Sequence, residues 1–150
     1  FHLAGNMLFL FVFGDNVEDN FGHGRYFVFY FLCGIAASAV HILSITTTGG
    51  MSIPTVGASG AISGVLGAYI LLYPRARVLT LVFYFLVSIV RVPAFFFLGF
   101  WFIFQLFAGF LEPSSGVAYW AHIGGFVAGM VLALILRRKK THYGYEYMSQ

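Results

Sequence analysis

Apolar residues fill most of this chain in long runs separated by short polar breaks, and the run lengths predict membrane-crossing helices. A helix needs about 20 mostly apolar residues to cross the hydrocarbon core of a bilayer. The first run, Phe1 to Phe13, is short for a crossing and predicts a helix whose start precedes the sequence. Gly14 to Gly24, with Asp15, Glu18 and Asp19, reads as a loop. The second crossing is expected over 26–45, followed by a polar stretch, Thr46 to Thr55, with Gly49, Gly50 and Pro54 as breakers. A third covers 57–72 and stops at Tyr73-Pro74-Arg75. Val78 to Val90 is apolar but too short to cross, which predicts an interfacial or re-entrant segment closed by Arg91 and Pro93. The Phe-rich run 94–111 and the run 119–136 complete five crossings, with a polar loop at 112–118 between them.

Composition agrees with the pattern. Of 150 residues, 60% are hydrophobic and 20% aromatic, while 9% are charged, against roughly 25% charged in ordinary soluble domains. So small a soluble fold could not hide that much apolar surface. The expected fold class is an all-α membrane protein, a polytopic helical bundle. Residues 1–136 form its transmembrane core and 137–150 a basic tail. The net charge is +3, but the placement of the basic residues carries more information. If Arg137, Arg138, Lys139 and Lys140 lie in the cytoplasm, counting back through five crossings puts Arg25, Arg75, Arg77 and Arg91 on the same side. The opposite loops, 46–56 and 112–118, hold no Lys or Arg. This pattern predicts a multi-pass protein of a prokaryotic plasma membrane with a cytoplasmic C-terminus. The basic residues do not form a nucleic-acid stripe. The single cysteine, Cys33, reads as a small core residue.

Two crossings open on residues that can do chemistry. The third begins Gly57-Ala58-Ser59-Gly60-Ala61. Gly57, Gly60, Gly64 and Gly67 recur on one helical face, which by itself predicts close helix packing. A serine at a helix start also lies beside free backbone N–H groups, which can stabilise an oxyanion. The last crossing begins Ala121-His122-Ile123-Gly124-Gly125, and Gly125 and Gly129 give it a small-residue face of its own. An ionisable residue inside a membrane helix points to function. If 78–90 does not cross, both helices descend from the same side. Ser59 and His122 then lie at similar depth, the minimum for general-base activation of a hydroxyl. No acidic residue falls within any crossing, so a third, carboxylate member is lacking. His2 and Asn6, spaced i and i+4 on the first helix, are expected at the level of Ser59 as donors to an oxyanion or as an interhelical hydrogen bond.

His2-x-x-x-Asn6, Gly57-Ala58-Ser59-Gly60 and Ala121-His122-x-x-Gly125-x-x-x-Gly129 together resemble the rhomboid family of intramembrane serine proteases, in order and in span assignment. Gly14-x-x-x-Glu18 and Gly22 are similar to the family's loop after its second helix. The likeness runs from Phe1 to about Leu136 and resembles the last five helices of a six-helix core. It implies Ser59 as nucleophile, His122 as general base and then acid, and an oxyanion hole of His2, Asn6 and the Ser59 N–H. It also implies a gate built on 94–111, with Phe95, Phe96, Phe97, Trp101 and Phe104 as its bulky face. Some members carry a tyrosine four residues after the nucleophile, where this chain has Ser63.

The resulting expectation is a serine endopeptidase that cuts transmembrane segments of membrane-protein substrates through a Ser–His dyad, with no cofactor and no metal. The alternative from another class is an inactive rhomboid-like protein that binds client helices. A proton-relaying channel or transporter would call for further intramembrane charges, and the crossings have none. His2, His41 and His122 lack the spacing of a metal set, and the glycine series lacks the Lys of a phosphate loop.

Overall fold

A computed structural model describes residues 1–48, 57–83, 87–111 and 116–137. Its elements in chain order are α1 (His2–Phe21), α2 (His23–Thr48), α3 (Ser59–Leu72), β1 (Arg77–Phe83), β2 (Val87–Pro93), α4 (Ala94–Leu111) and α5 (Tyr119–Leu136). The fold is a helical membrane bundle. Three of the described helices, α2, α4 and α5, are long and apolar enough to cross a bilayer.

The centre of the bundle is α3. It is apolar all round, and every residue from Gly60 to Tyr69 is buried, so no face is left for lipid. Its 14 residues span about 21 Å, against a hydrocarbon core of about 30 Å. The helices around it are longer and expose Phe27, Phe31, Ile35, Phe100, Phe107 and Ile135.

Glycines decide how closely α3 meets its neighbours. A Cβ at Gly125 would overlap the carbonyl oxygen of Gly60, one at Gly129 the carbonyl of Gly64, and one at Gly67 the carbonyl of Phe126. Backbone therefore lies on backbone along the α3–α5 seam. On the α2 side, a Cβ at Gly60 would stand 2.6 Å from the Cβ of Ala37, and one at Gly64 2.5 Å from the Cβ of Cys33. Cys33 is wholly buried there, the core role expected for it.

Two elements differ from the sequence reading. The stretch Gly14 to Phe21 is helical and continues α1. Phe13, Val17 and Phe21 recur at helical spacing and are buried, while Asp15 and Asp19 face outward. Gly22, at φ 83°, ends the helix in a backbone conformation that favours glycine. The described residues of 78–90 belong to two antiparallel strands, β1 and β2, paired as in a hairpin, with Leu79 opposite Arg91 and Leu81 opposite Ile89. Half of the residues in the two strands are Val, Ile or Thr, a composition that suits strands. The hairpin is tied back at its base, where Ala94 N–H donates to the Ala76 carbonyl and Phe95 N–H to that of Pro74. The Tyr73 hydroxyl donates to the Asn16 carbonyl at 2.9 Å, joining the ends of α3 and α1. The boundaries of α4 and α5 coincide with the predicted crossings, and α2 is longer than predicted at both ends. Predicted features at 49–56, 112–115 and 138–150, most of the basic tail among them, lie outside the described residues.

Candidate active site

Chain direction brings the first turns of α3 and α5 to one end of the bundle. There His122 Nε2 lies 2.9 Å from Ser59 Oγ. This is hydrogen-bond reach between a hydroxyl and an imidazole. Ser59 is half-buried and His122 is 8% exposed, so the pair faces the bundle interior. The glycine seam of α3 and α5 runs beside the pair. Gly60 follows the serine directly, and Gly125 sits one turn after the histidine on the same face.

The start of α3 is unusual for a helix. Its N-cap is Ala58, and no side chain caps it. The first bond of its ladder runs from Ile62 N–H to the Ala58 carbonyl, so the N–H groups of Ser59, Gly60 and Ala61 precede the ladder. Gly57 precedes the helix at φ 147°. A Cβ there would stand 3.0 Å from His2 Nε2 and 3.5 Å from Ser59 Oγ. Glycine thus keeps a gap open between the His2 ring and the serine hydroxyl. The sequence placed Gly57 on the helical stripe, whereas it lies just outside α3. Gly60, Gly64 and Gly67 are on the helix.

A cleft of about 860 Å³ opens over this end, lined among others by His2, His41, Gly57, Ser59, Ala118 and His122. Asn6, half-buried on α1, is not part of its wall. Of the two polar residues expected from α1, the structure brings only His2 to the pair. His41 lines the cleft, and its carbonyl accepts from the Ser44 hydroxyl. No group of three or more His, Cys, Asp or Glu suited to a metal ion occurs among the described residues. His23, far along the chain from the pair, contacts Glu18.

One participant went unread in the sequence. Gln105 of α4 is 6% exposed, and its Oε1 lies 2.9 Å from His122 Nδ1. Its signal was available, since Gln105 is the one amide in the Phe-rich run 94–111. Trp101, one turn earlier, packs its ring 6.0 Å from that of His122 and 6.0 Å from that of Phe126. Ser63, one turn after Ser59, donates to the Ser59 carbonyl at 2.7 Å. The aromatic residues of α4 do not share one face. Phe95, Phe96 and Phe104 point outward, while Phe97 stacks with Phe9 and Phe13 and Trp101 turns inward.

Residues 1–139 match the family model described as Rhomboid domain. The chain belongs to the rhomboid family. Rhomboid protein 1, mitochondrial, of Saccharomyces cerevisiae is 33% identical over 142 residues, covering 87% of this chain and 36% of that protein. RHOMBOID-like protein 4 of Arabidopsis thaliana is 33% identical over 151 residues, 96% of this chain and 32% of its own length. Rhomboid protease GluP of Bacillus subtilis is 32% identical over 142 residues, 93% of this chain and 24% of the protease. This rhomboid chain therefore spans about a third of the length of the curated relatives it matches. No solved structure matches it significantly.

Proposed function

We propose that this rhomboid-family chain is an intramembrane serine endopeptidase acting on transmembrane segments of membrane proteins. The observation that carries the reading is the 2.9 Å approach of His122 Nε2 to Ser59 Oγ at a helix start that no side chain caps. In this mechanism Ser59 Oγ attacks the scissile carbonyl carbon while His122 Nε2 takes the hydroxyl proton. Negative charge develops on the carbonyl oxygen. The Ser59 N–H and the His2 ring, across the gap kept by Gly57, are the donors nearest to it. The C–N bond then breaks, and His122 returns its proton to the leaving amine. Water, deprotonated by the same nitrogen, hydrolyses the acyl-enzyme and restores the hydroxyl.

A carboxylate at this depth would carry a desolvation cost of several kcal/mol, which favours a neutral dyad over a full triad. The orientation follows from charge. Arg25, Arg75, Arg77, Arg91 and Arg137 all belong to the end of the bundle away from Ser59, and the positive-inside rule puts that end in the cytoplasm.

The test is labelling and cleavage by the purified protein in detergent. The wild type should react with a fluorophosphonate probe at Ser59 and cut a membrane substrate whose helix is weakened by glycine or proline. Ser59→Ala should lose both properties. His122→Ala should lose cleavage. Cleavage surviving in either variant would refute the dyad. A correctly folded wild type with neither labelling nor cleavage would point instead to a client-binding protein.

A further inference from the structure

We infer that Gln105 is a positioning residue for the base: its side-chain oxygen fixes which ring nitrogen of His122 carries the proton. The inference rests on the Ser59–His122 reading above and adds a third member to it. A neutral imidazole has one N–H and one lone pair, on opposite nitrogens. The Gln105 oxygen can only accept, so Nδ1, 2.9 Å away, is the nitrogen that donates. Nε2 is then left with its lone pair toward the Ser59 hydroxyl, also at 2.9 Å. With the amide in this orientation, the opposite tautomer would set a lone pair against the Gln105 oxygen and an N–H against the nucleophile, and it could not take the serine proton. Buried carboxylates orient histidines in other hydrolases by the same logic. An amide oxygen does so here without placing a charge in the bilayer.

The setting supports a specific role. Ala94, Leu98, Gln105, Ala108 and Gly109 form the buried stripe of α4, and Gln105 is its only polar member. A polar group facing hydrocarbon without a partner is costly, and here the partner is the base. The bland explanation is an interhelical hydrogen bond that merely holds α4 to α5. Such a bond would affect melting, but it would not select a tautomer or act on the chemical step.

The experiment combines nitrogen-15 spectra of the histidine rings with kinetics, on the purified protein in detergent at mildly alkaline pH. The His122 signals are assigned by their loss in His122→Ala. Wild type should show His122 protonated at Nδ1 and bare at Nε2. Gln105→Leu, and the closer isostere Gln105→Met should the first fold poorly, should shift protons toward Nε2. In both variants kcat should fall about tenfold, the worth of one oriented hydrogen bond, with KM unchanged. Gln105→Glu, which keeps an acceptor, should recover activity above the leucine variant. A wild type protonated at Nε2, or apolar variants with wild-type spectra and kcat, would overturn the inference. If wild type neither labels at Ser59 nor cleaves yet shows the Nδ1–H spectrum, the protease reading fails while the tautomer assignment stands. If wild type cleaves and the apolar variants cleave equally well, only the role of Gln105 fails.

Discussion

Replacing Gly125 by alanine tests whether the backbone seam sets the catalytic distance. The added Cβ would overlap the Gly60 carbonyl oxygen and stand 2.9 Å from its carbon. Carbon–carbon contacts settle at about 3.5–4.0 Å, so the carbon alone demands that α3 and α5 part by roughly 0.6–1.1 Å, and the nearer oxygen demands more. Neither neighbour is a flexible side chain that could swing away. Added to the present 2.9 Å, the displacement opens the Ser59–His122 gap to at least roughly 3.5–4.0 Å, beyond the usual hydrogen-bond limit. A misplacement of about 1 Å can reduce a rate by about a hundredfold, whereas overpacking costs a fold about 1–3 kcal/mol. The expectation is a kcat/KM about a hundredfold below wild type in a protein that still melts cooperatively at a lowered Tm. The assay is initial-rate cleavage in detergent, paired with thermal melts followed by circular dichroism. Gly99→Ala is the control, because a Cβ there meets nothing within 4 Å. Its activity should be unchanged. A Gly125→Ala protein that keeps most of its rate would refute the claim that this contact holds the pair together.

Other outcomes follow from the same geometry. His2→Ala should cut kcat about a hundredfold, the usual loss for one oxyanion donor. Asn6→Ala should cost less than about tenfold, since Asn6 does not line the cleft. Equal losses in the two would mean that Asn6 reaches the oxyanion. Tyr73→Phe removes the tie to the Asn16 carbonyl and should lower stability by about 1 kcal/mol in a reversible unfolding assay, with cleavage intact. Gly57→Ala sets a Cβ between the His2 ring and Ser59 and strains a positive φ. Cleavage should fall while the melting transition persists, and unaltered turnover would show that the gap is not needed.

The crossings 94–111 and 119–136 were legible because an unbroken apolar run with abrupt ends leaves the backbone little choice but a helix. The Ser59–His122 approach was legible too. Parity of the crossings put both residues at one end, and facing glycines implied close helices. The extension of α1 was missed because Asp15, Glu18 and Asp19 were read as a loop, while Phe13, Val17 and Phe21 carried the helical period. The hairpin was missed because apolar residues occur on both of its faces, so alternation is masked. Only its β-branched composition hinted at strands. Gln105 is not ionisable, so it lacks the mark that makes His122 conspicuous in an apolar run. In hydrocarbon an amide is also costly to leave without a partner, so it deserved the same weight.

The shortness of α3 has a consequence for where the proposed protease would cut. Its length is fixed by its own hydrogen bonds, whereas the thickness around it belongs to the host lipids. If the far end of α3 sits at one boundary of a typical bilayer, Ser59 would lie about 9 Å beneath the opposite one. That depth is a difference between a rigid length and a variable one. Longer acyl chains would sink the serine further, and the susceptible peptide bond would move inward along the substrate by about one residue for each 1.5 Å of added thickness. The protein would then act as a depth gauge, with the lipid composition choosing the bond.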